Sequence, residues 1–286
     1  MLFYLAYSKL RNKSKKKLNT TRGELGNEAI GAFFNFATDV TKPFENRVLI
    51  AEQGVNIIWS GTRNPHLNTA YRMSCATSVS ELEETLRYLQ GQYNKLDKDG
   101  TGGMFIFDAS SLLDSGTSKE DIKRICQKYS FKAGFDSIMA REGGPFDKID
   151  TKGLEIKRVT TLEQLEELLN LYLPNVRDKD KTDWSILLEY WKSAYSFVGY
   201  IDGKAVSCAT ALVYNDKLLL GTVSSHPDYR KRGYDSVLSR YALKTAIEAT
   251  GYNITLLHAS EFDKPVNEKL GFVDIGTLAH AVYKPA

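Results

Sequence analysis

The second half of the chain alternates apolar and polar positions cleanly enough to divide it into elements. "LEIKRV" (154–159) has the two-residue period of a strand. "TTLEQLEELLNLYL" (160–173) has the period of a helix, with Thr161 and Gln164 at capping-box spacing. "TDWSILLEYWKSA" (182–194) predicts a second helix. Residues 196–225 predict three strands, joined at Asp202-Gly203 and Asn215-Asp216, both two-residue hairpin signals. "RKRGYDSVLSRYA" opens a helix that runs to about Thr250, where Gly251 ends it. "YNITLLHAS" (252–260) reads as a strand, "DKPVNEKL" (263–270) as a short helix and "GFVDIGTLAHAVYK" (271–284) as one or two strands. The order is β-α-α-β-β-β-α-β-α-β.

The first half is less regular. "ELGNEAIGAFFNFAT" (24–38) predicts a helix, "VNIIWSG" (55–61) a strand, and "SVSELEETLRYLQGQY" (78–93) an amphipathic helix with Leu82, Leu86 and Leu89 on one stripe. "GMFIFDAS" (103–110) and "FDSIMARE" (135–142) read as strands around the helix "SKEDIKRICQKY" (118–129). "GVNIIWSGTRNPHLNTAYRMS" (54–74) reads as a strand and then a loop; Trp59, His66 and Asn68 are candidates for a cleft, with core the simpler place for Trp59. The glycines of "DGTGGMFIF" precede a strand, the wrong order for a phosphate loop, and predict a turn. Gly143, Gly144, Pro145 and Gly153 interrupt the periodicity and mark a connection between a unit at 1–145 and one at 153–286. The opening "MLFYLAYSKLRNKSKKK" has its apolar run before its charges, the reverse of a secretory signal, and predicts a short strand and an exposed basic loop.

Composition narrows the class. At 286 residues, with 42% hydrophobic and 26% charged residues, the chain is that of a globular protein. A net charge of +3 argues against a surface built to grip nucleic acid, and no run is long enough to span a membrane. Cys75, Cys126 and Cys208 are odd in number and in no metal-ligand pattern, which predicts free thiols, a reducing cytoplasmic setting and no metal.

The chemistry concentrates at 223–236. Arg230, Lys231 and Arg232 stand before Gly233 at a helix start, where the dipole favours anions rather than cations. The first amides of a helix lack internal acceptors, so a diphosphate can take them while the cations add potential and Gly233 lets the backbone approach. A solvated basic turn is the blander explanation of three cations taken alone.

The order of elements, "RKRGYD" (230–235), the preceding "VSSHPDY" and the later "LLHASEFDKPVNEKLGF" together resemble the GNAT family of acetyl-CoA-dependent N-acetyltransferases over roughly residues 154–286. The resemblance implies an α/β (α+β) fold: a mixed central sheet flanked by helices, with pantetheine docking between two splayed strands. Val223 and Ser225 then offer main-chain groups to pantetheine. Arg230, Lys231, Arg232, Gly233, Tyr234, Asp235 and Ser236 surround the diphosphate, and Ser260 and Asn267 face the cofactor. Asp235 departs from the family's glycine or alanine and must turn away or pair with Arg230 or Arg232. Asn267 stands where the family often has a tyrosine acid, and an amide cannot supply a proton as a phenol does. The base is open between a water ordered by Thr222, Ser224 and Ser225, the histidines His226 and His258, and Glu261. Either histidine has a structural role as its simpler explanation.

The first half carries no phosphate loop and resembles a degenerate copy of the same unit. A tandem chain of this kind resembles the VipF-like group of GNAT effectors. That implies export into a host cytosol, a protein lysine or N-terminus as acceptor, and the translation initiation machinery as a partner, with Lys9–Lys17 a basic surface toward it. A monomer is expected. Competing readings are an acetyl-CoA-binding scaffold without catalysis, and a small-molecule acetyltransferase of the aminoglycoside type, which would need an acidic pocket that no cluster near the motif supplies.

Overall fold

The computed structural model describes residues 22–284 apart from 43, 46, 63, 64, 73, 75, 173–187, 189 and 190. The opening strand, the basic run Lys9–Lys17, Cys75 and most of the helix expected at 182–194 lie outside the described residues; Leu188 and 191–193 are helical. The first half comprises α1 (Arg22–Val40), β1 (Val48–Glu52), β2 (Val55–Trp59), β3 (Asn68–Arg72), α2 (Val79–Leu96), β4 (Gly103–Asp108), α3 (Ser110–Asp114), α4 (Lys119–Lys128) and β5 (Phe131–Glu142). The second comprises β6 (Glu155–Arg158), α5 (Leu162–Tyr172), β7 (Tyr195–Ile201), β8 (Lys204–Tyr214), β9 (Lys217–Ser225), α6 (Tyr234–Thr250), β10 (Ile254–Ala259), α7 (Lys264–Lys269) and β11 (Val273–Tyr283).

All eleven strands form one mixed sheet in the order β1-β2-β3-β4-β11-β5-β10-β9-β8-β7-β6. The two halves exchange strands at its centre. β11, the last strand, lies between β4 and β5, with Leu278 opposite Asp108 on one edge and opposite Asp136 on the other. β5, the last strand of the first half, lies in turn between β11 and β10, with Ile254 opposite Glu142 and Ala259 opposite Ser137. Every backbone ladder at the junction is therefore made between halves, save those of β4 and β10 with their own neighbours.

Helices bury the sheet in four clusters, the smallest of them α5 with Leu165 and Leu168 against Val198 and Cys208. On one face α2 and α4 set Leu82, Leu86, Leu89, Ile122 and Cys126 against Phe105, Phe107, Ala279 and Ala281, so the exchanged strand is part of the first-half core. α6 sets Val237, Leu238, Ala242 and Ala246 against Phe197, Ala209, Ala211 and Leu220 of the second half. α1 straddles the junction and packs Leu25, Ala29 and Ile30 with Ile106, Ile138, Leu256 and Leu278 from both halves.

Local chemistry explains most boundaries. Asp202 and Gly203 both have positive φ (49° and 74°), as a type I′ hairpin turn requires. Thr161 and Gln164 bond reciprocally, Gln164 N–H to Thr161 Oγ1 and Thr161 N–H to Gln164 Oε1, completing the expected capping box. Gly251 ends α6 at φ 74°. Two strands escape the pattern. β1 is an edge strand with exposed Val48 and Leu49 and so has no alternation. β3, read as a loop because "NTAYR" is polar, is buried throughout: Asn68 bonds Ser60 and Thr62, and Arg72 bonds Thr85 and Glu81. Trp59 belongs to the first-half core.

A chain cut between β5 and β6 would leave each half short of a central strand. Residues 22–145 and 153–286 produced separately are expected to show no cooperative thermal transition by circular dichroism, and to regain one when co-expressed; an independently folded 153–286 fragment would refute the coupling.

Candidate active site

β9 and β10 run parallel but pair at only two positions, Leu218 with Thr255 and Leu219 with Leu256. Beyond them the strands part, and residues 220–225 and 257–260 border the gap instead of closing it. β9 is bent here. Its register with β8 shifts between Cys208 and Thr210, and Thr222 takes φ 46°, the sign of a bulge that turns backbone groups out of the ladder. The Cys208 thiol, pushed up to about 12 by burial, donates to the Thr222 carbonyl at 3.2 Å and pins the bend. Cys126 is likewise a free buried thiol.

β9 leads through a 3-10 turn, Pro227–Tyr229, into the loop before α6. Lys231 (φ 61°) and Gly233 (φ 79°) are left-handed, and Gly233 caps α6 with no side chain. Among the described residues, the amides of Lys231 to Asp235 donate to nothing in the protein. The left-handed φ of 79° favours glycine at 233, and a Cβ there would also crowd Lys152 Nζ at 2.8 Å, a contact the lysine side chain can relieve by moving. Lys152, from the connection between the halves, also donates to the Arg232 carbonyl at 3.0 Å, a fourth cation at the loop that the sequence pattern does not reveal.

The parted strands and the loop open into one cleft of about 1260 Å³. Of the residues expected here, Thr222, Val223, Ser224, Ser225, Arg230, Lys231, Asp235, Ser236, His258, Ser260 and Asn267 line it. Arg232, Gly233 and Tyr234 do not: Arg232 reaches back to the Asp228 carbonyl over the Tyr229 ring, Gly233 sits behind Lys231 at the start of α6, and Tyr234 is buried in the α6 core. His226 caps the 3-10 turn, and Glu261 pairs with Lys119 at the surface. Asn68 is committed to its buried network; the His66 side chain lies outside the described residues.

The polar groups are unequally available. Ser224 Oγ donates to the Leu171 carbonyl at 2.8 Å, and Ser225 Oγ pairs with Ser207 Oγ at 3.1 Å. Thr222 Oγ1 is buried with no bond within the protein. Asn267 Nδ2 donates to the Asp263 carbonyl, and Ser260 Oγ to the Asp263 carboxylate. Asp235 neither turns away nor pairs with Arg230 or Arg232; its Oδ1 accepts from the Ser236 amide at 2.8 Å and faces the cleft. The acidic lining that the linear sequence does not group, Asp136, Glu166, Asp235 and Asp263, comes together from four separate segments. His258 is stacked on Phe33, centroids 3.8 Å apart, and burial pushes its imidazole down to about 3, so it is a neutral acceptor at ordinary pH. Phe262, 92% exposed, stands at the rim. Among the described residues no group of His, Cys, Asp and Glu could hold a metal ion, and no helix is long and apolar enough to cross a membrane.

Residues 162–272 match the family model of the acetyltransferase (GNAT) family. The fold resembles a GCN5-related N-acetyltransferase from Kribbella flavida (TM-score 0.60, 13% identity, 88% of this chain and 95% of that one). It also resembles a GCN5-related N-acetyltransferase from Sphaerobacter thermophilus (TM-score 0.57, 12%, 93% and 95%) and a tandem GNAT protein from the clavulanic acid biosynthesis pathway (TM-score 0.53, 12%, 93% and 98%). No curated protein sequence matches the chain. The match thus places a GNAT-family domain within the second half of a GNAT-like fold, and acetyl-CoA is the acyl donor of that family. Idle amides at a helix start without a side-chain cap, the cations Arg230, Lys231 and Lys152 beside it, and parted strands fit a long anionic thioester of that kind.

Two outcomes test the site. Gly233→Glu should abolish acetyl-CoA binding by calorimetry, whereas Asp235→Asn should tighten it roughly five-fold, since a carboxylate beside a diphosphate costs about 1 kcal/mol; no change in either variant would move the diphosphate elsewhere. Because His258 refuses a proton that the unfolded chain accepts below its usual value of 6.5, stability should fall as pH drops from 6.5 toward about 3. The slope is at most about 1.4 kcal/mol per pH unit. Urea unfolding should show that slope flattened in His258→Gln.

Proposed function

We propose that the protein transfers acetyl from acetyl-CoA to an amine by direct attack in a ternary complex, with 153–286 as the cofactor-binding unit and the first half, which lacks a phosphate loop, as its companion. The observation that carries this reading is the two-position pairing of β9 and β10 beside an uncapped helix terminus. The cofactor, when bound, supplies an activated acetyl thioester. The chain's own groups do the rest. The Lys231–Asp235 amides, with Arg230 and Lys152, hold the diphosphate. The unpaired edge of β9 around Val223 and Ser225 takes the amide arm, and a β9 amide turned out at the bulge polarises the acetyl carbonyl.

An attacking amine must be neutral. Thr222 Oγ1, buried and unbonded, is the hydroxyl best able to order a proton-accepting water, with Ser224 Oγ as second acceptor. Asn267 orients the leaving sulfur by a hydrogen bond, and its proton comes from solvent.

The resemblance to the VipF-like effectors supports a lysine or N-terminus of a host protein as acceptor, reached after export to the host cytosol, with translation initiation components among the candidates. Asp235 and Asn267 favour the alternative of a binding scaffold without turnover.

Thiol release from acetyl-CoA in the presence of amines separates enzyme from scaffold, and mass spectrometry of protein and small-amine pools with isotope-labelled acetyl-CoA identifies the acceptor. Asn267→Ala is expected to lower kcat several-fold while leaving the thermal midpoint in place; a wild-type rate would remove that residue from the chemistry.

A further inference from the structure

The connection between the halves leads from β5 to the loop before α6, and it is tied down along its length. At its start the Arg141 guanidinium donates to the carbonyls of Gly143 (3.1 Å) and Gly144 (2.9 Å) and lies 4.5 Å from the centre of the Phe146 ring. Arg240 of α6 approaches the same ring at 5.6 Å, and Phe146 and Ile149 pack against the core that α6 covers. At its end Leu154 is buried in that core. Just before Leu154 the backbone folds tightly, with Lys152 at φ 52° and Gly153 at φ 79°. The Asp150 carboxylate accepts from the Lys152 amide at 2.9 Å, and the Thr151 carbonyl accepts from the Leu154 amide at 3.0 Å. A left-handed lysine is uncommon and strained, and persists where its neighbours enforce it.

From this fixed stem the Lys152 side chain meets a group 80 residues along the chain. Its Nζ donates to the Arg232 carbonyl at 3.0 Å and packs on Gly233, where a Cβ would meet it at 2.8 Å. Two more left-handed residues flank Arg232: Lys231 at φ 61° and Gly233 at φ 79°. Such alternation of handedness turns successive amides to one side and makes a concave anion seat. A peptide is planar and trans, so its carbonyl and its amide point in opposite directions. Lys152 does not border the cleft, whereas Arg230, Lys231, Asp235 and Ser236 do.

We propose that Lys152 is a positioning residue for this loop: by holding the Arg232 carbonyl on the side away from the cleft, it aims the Gly233 amide into the cleft. The inference rests on reading the loop as the diphosphate seat. It goes beyond that reading by placing a determinant of the seat outside residues 162–272, the stretch that matches the family model. The physical need for a tether lies in the glycine. A flip of the Arg232–Gly233 peptide changes ψ of Arg232 and φ of Gly233, and glycine accepts φ of either sign. Local geometry therefore leaves the orientation open, and a flipped peptide would present a carbonyl oxygen to an anion. The lysine bond selects the amide. Through Arg141 and Phe146 it also couples the seat to β5 and so to the first half. A purely electrostatic role is the competing account, since an ammonium at this place adds positive potential whichever way the peptide points.

Calorimetry and one amide resonance separate positioning from charge. Lys152 is exposed, and Lys152→Met keeps its stem while removing the donor. That variant should bind acetyl-CoA roughly ten-fold more weakly than wild type. The deficit should persist in about 0.5 M NaCl, where an exposed charge is screened. Carbonyl-13C arginine combined with 15N-glycine marks the Arg232–Gly233 peptide, with Arg22–Gly23 as internal reference. The Gly233 amide signal is expected to shift when acetyl-CoA is added to wild-type protein, and to shift less than half as far in saturated Lys152→Met. Affinity within two-fold of wild type in the variant overturns the proposal. So does a deficit that disappears with salt, or a Gly233 shift as large in the variant as in wild type. In wild-type protein, which needs no variant to fold, acetyl-CoA binding that leaves the Gly233 signal unmoved overturns it as well. If acetyl-CoA does not bind wild-type protein at all, the acetyl-transfer reading fails and inorganic pyrophosphate becomes the probe. A Gly233 response to pyrophosphate that depends on Lys152 then keeps the positioning role, and an absent or Lys152-independent response ends it.

Discussion

The central ladder of this protein is made by strands that belong to different halves of the chain. β11 satisfies its backbone on both edges with first-half strands, and β5 bridges β11 to β10. Unpaired backbone groups in a buried sheet are costly, so neither half can close its own core once the other is removed. The aliphatic layer under α1 shows the same dependence: Ile106 and Ile138 come from one half, Leu256 and Leu278 from the other, and one helix covers all four. The first half is thus a wall of the cleft even if it handles no cofactor itself.

The exchange also determines what the cleft can hold. Because β10 is secured on its far edge by β5, it can leave β9 after two paired positions without unravelling. The vacancy between them is bordered by a bulged strand on one side and a firmly paired strand on the other. At the base of that vacancy the same ladder brings Asp136, His258 and His280 to one face. One topological choice therefore supplies both the gap between β9 and β10 and the polar cluster beside it.

The loop before α6 was legible in the sequence because its determinants are local. A glycine at a helix start, cations beside it and a hairpin before it lie within twenty residues, and the backbone angles at Asp202, Gly203, Gly233 and Gly251 follow from those residue types. The capping box at Thr161 and Gln164 is equally local. The partners of β11 were not legible, since "TLAHAVY" alternates identically whichever strands flank it. β3 was missed because its polar side chains are satisfied by groups far along the chain, Arg72 by Glu81 and Thr85, Asn68 by Ser60 and Thr62. Asp136 and His280 look like ordinary outward positions of two strands until the register places them together. Lys152 reached the loop by the same kind of long-range contact.

The two halves offer a comparison of two helix starts in equivalent places. Each has a parallel strand pair with a helix between its strands: β3 and β4 around α2, β9 and β10 around α6. In the first half, Ser78 caps α2 by accepting from the Glu81 amide, and the Glu81 carboxylate accepts from Thr77 N–H, Thr77 Oγ1 and Arg72. That carboxylate is held below its ordinary range chiefly by the Thr77 backbone bond. Donors and charge at that terminus are consumed internally, and an incoming dianion would have to displace them. In the second half the cap is Gly233, the amides beside it are idle, and Lys152 adds charge from across the connection. Among the described residues, the side-chain acceptor at this terminus is Asp235, whose Oδ1 takes the Ser236 amide. The same strand-helix-strand arrangement thereby starts from an extended serine cap in one half and from a left-handed glycine in the other. The difference lies in the cap residue itself: Ser78 supplies a side-chain oxygen to the first turn, whereas Gly233 has none and leaves only Asp235 to reach the Ser236 amide.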